Sequence, residues 1–187
     1  MQAKITPRTK KAYIALALLI FASIVLYFNN PKRPKIGKQA GLQSAVVCFS
    51  PDGACEQVIL ETLQQAKKEI VAAVYTFTSV LIAEELIRAK ERGVEVRLLL
   101  DRDMADDRFS RFRAIKSAGV QVVLDGDPGA IMHNKYAVVD EEIVITGSYN
   151  WTSGANKSNY ENLLIIHSPE LARQYKANFE LLWERFK

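Results

Sequence analysis

The alternation of apolar and polar positions changes period several times along this chain, and each change marks an element. Residues 12–28 (AYIALALLIFASIVLYF) carry no charge at all. At helical rise such a run extends roughly 25 Å, enough for a bilayer core, with Tyr13, Tyr27 and Phe28 at the ends where interfacial aromatics belong. A cleaved signal would need a small-x-small site, and the following YFNNPKRPKIGK offers none. The expectation is one transmembrane helix over 12–28, between a basic tail (1–11) and a polar, proline-interrupted linker (29–44). Four basic residues flank the span on either side; the short tail favours an inside N-terminus and an exported domain.

Beyond the linker, short β-branched runs alternate with helical periods. Ala45–Phe49, Ile70–Phe77, Val94–Leu100 and Val120–Leu124 read as strands, and Glu56–Lys68, Val80–Arg92 and Asp107–Ser117 as the intervening helices. Thr78 and Ser79 offer cap chemistry for the second helix, and Gly93 ends it. The pattern then shifts to a hairpin, His133–Val139 and Ile143–Thr146 around Asp140-Glu141-Glu142, then a strand at Asn162–His167. Ser168-Pro169 opens a last helix with Leu171, Tyr175, Phe179, Leu182 and Phe186 on one stripe. The predicted fold is α/β: a mixed, mostly parallel sheet with helices on both faces, formed by residues 45–187.

Charge alters this picture less than the total suggests. The chain of 187 residues has a formal charge of +4. Residues 1–38 hold eight basic residues and no acidic one, which leaves 17 basic against 21 acidic residues beyond them, a net of −4. The domain is not a bulk polycation, so a nucleic-acid contact needs a local track; Arg108, Arg111, Arg113, Lys116 and Lys157 are its candidates. Cys48 and Cys55, seven apart, fit either a disulfide or two small core residues, and they form no zinc pattern. The acidic run DRDMADD (101–107) reads as a solvated, helix-capping loop rather than a metal site.

The chemistry concentrates in HNKYAVVDEEIVITGSYN (133–150). Two residues apart on a strand, His133 and Lys135 share a face. Ser148 and Asn150 lie in the turn after the partner strand and can aim a hydroxyl and an amide at the same point. Lysine and asparagine would hold the non-bridging oxygens of a phosphate, and a neutral imidazole could attack the phosphorus. Glu161 is the candidate acceptor that holds the imidazole's other nitrogen. Asp140 completes the spaced set, but it falls on the opposite parity at a turn and is expected to fix the hairpin. One imidazole used as nucleophile cannot also protonate the leaving oxygen. His167, the second histidine, has no lysine two residues on and reads as structural. A twofold axis bringing two copies of His133 together would supply the missing acid, so a homodimer is expected.

His133, Lys135 and Asp140, followed by Gly147-Ser148-Tyr149-Asn150, resemble the HKD motif of the phospholipase D superfamily. FSPDG (49–53), AAVYTFTS, AKERGVEVRLLLD, DPGAIMHNKYAVVD, GSYNWT and Tyr160-Glu161-Asn162 are similar to its small single-motif members, the bacterial endonucleases and the Zucchini or mitochondrial cardiolipin hydrolase branch. The resemblance covers roughly residues 45–187. It implies a homodimer, a phosphodiesterase reaction without metal or other cofactor, and a phosphohistidine intermediate. It implies phosphate-site roles for His133, Lys135 and Asn150, and supporting roles for Ser148 and Glu161. Zucchini-type members carry a Cys/His zinc insertion after the first strand; its absence here favours the bacterial nuclease branch. The expected function is a membrane-anchored endonuclease on DNA or RNA, held by a single pass in a bacterial inner membrane. The alternative is a phospholipase D or cardiolipin hydrolase acting on membrane lipid.

Overall fold

Seven strands, β1 (Ser44–Ser50), β2 (Glu69–Val74), β3 (Glu95–Leu100), β4 (Gln121–Leu124), β5 (Lys135–Val139), β6 (Ile143–Gly147) and β7 (Glu161–His167), form one sheet in the order β1-β7-β6-β5-β2-β3-β4. The computed structural model describes Leu18, Leu19, Phe21 and residues 41–187 other than Asp52 and Pro128. The expected membrane span at 12–28 therefore lies outside the described residues, save those three. Among the described residues no helix is long and apolar enough to cross a membrane.

The sheet is mixed, but it is not mostly parallel. β2, β3 and β4 pair in parallel, whereas β2 with β5, β5 with β6, β6 with β7 and β7 with β1 pair antiparallel. Strand–helix alternation does predict crossovers, and from β2 to β4 it does so correctly. It says nothing about which neighbour the first strand finds. β1 crosses to the far edge and pairs with β7 over the full register Ser44↔His167 to Ser50↔Glu161.

Within residues 41–187 six helices are described beside the sheet: α1 (Cys55–Gln64), α2 (Val80–Glu91), α3 (Arg102–Asp106), α4 (Phe112–Ser117), α5 (Ser153–Lys157) and α6 (Pro169–Phe186). The helix expected over Asp107–Ser117 starts only at Phe112, residues 107–111 being non-helical, and neither α3 nor α5 was expected. Asp107 takes an extended conformation and its carboxylate receives the Phe109 N–H, a local bond that competes with helix. Strand parity sorts the core. Ile70, Ala72, Val74, Leu98, Leu100, Ala137 and Ile145 face α1 and α2, while Val71, Ala73, Leu99, Tyr136, Val138 and Val144 face α6. The whole predicted stripe of α6 packs on that second face. Ser168 caps α6 through the Leu171 N–H at 3.3 Å, with Pro169 in the first turn.

Cys48 and Cys55 are joined by a disulfide with Cα atoms 5.6 Å apart, which decides between the two readings of that pair. The bond ties the end of β1 to the start of α1.

Candidate active site

The strand directions gather one set of ends on a single edge. The C-terminal ends of β1, β2, β3, β4 and β6 and the N-terminal ends of β5 and β7 lie together there, because each antiparallel pairing reverses the chain once. His133, Lys135, Ser148, Asn150 and Glu161 all belong to this edge. His167 sits at the opposite end of β7, about 20 Å from Glu161 at strand rise, paired with Ser44 and Ile143.

His133 is not in a strand, as its spacing suggested; β5 begins at Lys135. It projects from a short turn, with its N–H on the Ile131 carbonyl at 3.1 Å, and is exposed. The two residues still meet, by another route. Lys135 Nζ donates to the His133 carbonyl at 2.8 Å and lies 4.8 Å from the centre of the Tyr75 ring. That ring stands 4.5 Å from the imidazole, tilted by 53°. The Tyr75 N–H takes the Asn134 carbonyl at 2.8 Å, so β2 holds the loop at the histidine. Tyr75 had no assigned role from the sequence; the signal was a polar-tipped aromatic ending a strand buried along its length. Burial lowers the pKa of the Lys135 ammonium below its ordinary value, and the negative charges of Glu161 and Asp101 oppose that shift.

Asn150 is oriented by its neighbour. The Thr76 N–H donates to Asn150 Oδ1 at 3.3 Å, which commits the oxygen and leaves the amide nitrogen as the outward donor. Trp151 follows on a fixed path, with its N–H on the Thr76 carbonyl and its own carbonyl receiving the Thr78 and Ser79 N–H groups. Its indole is buried edge-on against Phe77, 5.4 Å between centroids, and so packs rather than offering a stacking face.

Glu161 and Ser148 form a pair, but not the one expected for histidine. Ser148 Oγ donates to Glu161 Oε2 at 2.5 Å and accepts from the Asn162 N–H at 3.1 Å; Asn159 Nδ2 donates to Glu161 Oε1 at 3.1 Å. Among the described residues no hydrogen bond joins Glu161 to the His133 ring, so the carboxylate holds the Ser148 turn and acts on Lys135 by charge. Gly147 permits this closeness: its φ is +147° and a Cβ there would meet the Asn162 carbonyl oxygen at 2.2 Å. Any side chain at 147 would push β7 and Glu161 off the edge.

Asp140 leaves the candidate set. It lies at the other end of β5 from His133, where its carboxylate accepts three backbone N–H groups, from Lys67 at 2.9 Å, Lys68 at 2.8 Å and Glu69 at 3.0 Å. It fixes the entry to β2 and the hairpin turn, as its parity suggested. Replacing it with alanine should cost about 2–4 kcal/mol of stability, since three charge-assisted bonds go and three N–H groups lose their acceptor. The activity of the folded fraction should not change, which denaturant melts beside kinetics at low temperature would check.

The Asp101–Asp107 run is not simply a solvated loop. Asp101 caps α3 through the Met104 N–H at 3.1 Å, as expected, yet it is buried and its second oxygen receives the Met132 N–H at 3.2 Å.

Comparison with known proteins identifies the family. The family model described as "Cardiolipin synthase, PLD-like domain" matches residues 59–183. A protein of Rickettsia felis named phospholipase D is 40% identical over 178 residues, covering 89% of this chain and 88% of that one. The human mitochondrial cardiolipin hydrolase is 35% identical, over 90% of this chain and 67% of that protein. The crystal structure of Nuc, a phospholipase D family member from Salmonella typhimurium, matches with a TM-score of 0.72 and 31% identity, over 77% of this chain and 96% of Nuc. Fold, sequence and strand-edge geometry agree that this chain belongs to the phospholipase D superfamily of phosphodiesterases.

Proposed function

We propose that this phosphodiesterase is an endonuclease of DNA or RNA, acting through a phosphohistidine on His133 in a site completed by a second copy of the chain. The observation that carries the reading is one exposed imidazole at the end of the sheet that also bears Lys135 and Asn150, with the chain's other histidine at the opposite end of β7. Neutral His133 attacks phosphorus, forming a P–N bond as the P–O bond to the leaving oxygen breaks. The imidazolium of the second copy gives that oxygen its proton. Now neutral, it takes a proton from the water that breaks the P–N bond, so the products are a phosphate monoester and an alcohol. Lys135 and Asn150 stabilise the non-bridging oxygens throughout.

Phe49 and Tyr160, 64% and 93% exposed beside Glu161, offer apolar surface on which the second copy could sit. The open edge suits a long polyanion. Arg111 bonds the Thr78 carbonyl at 3.2 Å, which supports a basic track running from the Asn150 turn toward Arg108 and Arg113. Residues 12–28 would anchor the enzyme, and the disulfide supports an exported, oxidising location for the domain.

A lipid reading is favoured by two observations: the names of the relatives, and Ile131, 62% exposed two residues before His133, as part of an apolar rim. Met132, the next residue, is buried in the core and adds nothing to that rim. The full-length chain in detergent, given labelled single-stranded DNA, RNA and cardiolipin vesicles in excess EDTA, separates the readings. Nucleic-acid cleavage that is lost in His133→Ala is expected. Lipid turnover alone would move the assignment to the lipid branch, and activity that EDTA abolishes would overturn the mechanism.

A further inference from the structure

We propose that Asp101 is a positioning residue for the His133–Lys135 pair, acting through the main chain of the turn that carries the histidine and through its charge beside the lysine. This rests on the reading of that pair given above. Asp101 directly follows β3, whose last residue Leu100 is paired with Val74, so it emerges on the site edge next to Tyr75. It is 3% exposed. A carboxylate taken so far from water needs compensation, and Asp101 finds it in two backbone donors, Met104 N–H for one oxygen and Met132 N–H for the other.

The second bond is the informative one. A helix cap needs only one acceptor oxygen, so capping α3 does not account for the contact with Met132, 31 residues away. The His133 turn is thus pinned on both sides, at the Met132 N–H by β3 and at the Asn134 carbonyl by β2. Between these pins the His133 carbonyl receives Lys135 Nζ. Losing one pin frees the turn on the side where the imidazole must meet phosphorus in line.

The same carboxylate acts on Lys135 at a distance. The charged and titratable groups around the ammonium are Glu161 on β7, Asp101 after β3, the Tyr75 phenol at the end of β2 and His133 itself. Burial disfavours the protonated lysine, and the two carboxylates counter it. Removing the Asp101 charge must lower the lysine pKa further, so the alkaline limb of a rate profile that requires protonated Lys135 moves to lower pH.

The test uses the full chain and bis(p-nitrophenyl) phosphate, with kcat and KM measured across pH for wild type, Asp101→Asn, Asp101→Ser and His133→Ala, and thermal unfolding of each. Asn keeps the shape of the side chain with one acceptor oxygen. Ser keeps a good cap but lacks both the reach to Met132 and the charge. The expected result in both Asp101 variants is a fall in kcat of about ten- to a hundredfold per folded molecule, little change in KM, and an alkaline limb displaced to lower pH. A lower melting temperature with wild-type kcat and an unmoved alkaline limb would make Asp101 a structural cap and overturn the inference. Activity surviving in His133→Ala would show instead that the pair itself was misassigned.

Discussion

His133→Ala should lower kcat by at least about 10⁴-fold while leaving the melting temperature within a degree or two of wild type, because the exposed imidazole carries the nucleophile and little of the packing. Composition dependence is the more demanding part of this prediction. When two copies share one site, a mixed pair keeps a single imidazole and cannot both attack phosphorus and protonate the leaving oxygen. Wild-type and His133→Ala chains, unfolded together and refolded at varied ratios, should show activity falling as the square of the wild-type fraction. A linear fall would mean that each copy works alone, and the acid would then have to be sought elsewhere on the edge.

The largest effect on stability is expected at Phe179. Its side chain is fully buried, stacks on Trp183 with centroids 5.4 Å apart, and carries the Arg97 guanidinium 5.4 Å above its ring. Arg97 in turn makes two bonds to Glu180, at 2.9 and 2.6 Å. Among the described residues α6 supplies the helical cover of this face of the sheet. Phe179→Ala should therefore cost about 3–5 kcal/mol, or roughly 10 °C in melting temperature for a domain of this size. A loss below about 1 kcal/mol in a denaturant melt would mean that α6 closes over the cavity and that the second core is not close-packed.

These two positions also show how unevenly the sequence revealed the structure. Phe179 was legible because a stripe at steps of three and four depends only on the helix that carries it. The HxK and GSxN groups were legible because their spacing is unusual enough to mean chemistry. The position of β1 was not, since a five-residue apolar run contains nothing that names its partner, and the strand pairs with β7 at the edge of the sheet rather than beside β2. His133 was placed in a strand because apolar alternation extends past the point where the backbone bonds actually change. Pairing Glu161 with the imidazole is chemically plausible from the sequence, but in the fold Ser148 and Asn159 occupy its oxygens. Asp101 was missed for a related reason: a carboxylate in a charged run looks solvated until the chain folds a distant N–H against it.

Trp151 and Trp183 are the only two tryptophans in the chain, both are buried, and they lie in the two separate cores on opposite faces of the sheet. Trp151 directly follows Asn150, whereas Trp183 is near the end of α6. The molecule thus contains two intrinsic fluorophores that can be read one at a time. With Trp183 replaced by phenylalanine, the remaining emission should respond to ligands at the strand edge; with Trp151 replaced, it should respond only to loosening of the last helix. Events at the two faces become optically separable without attaching a dye.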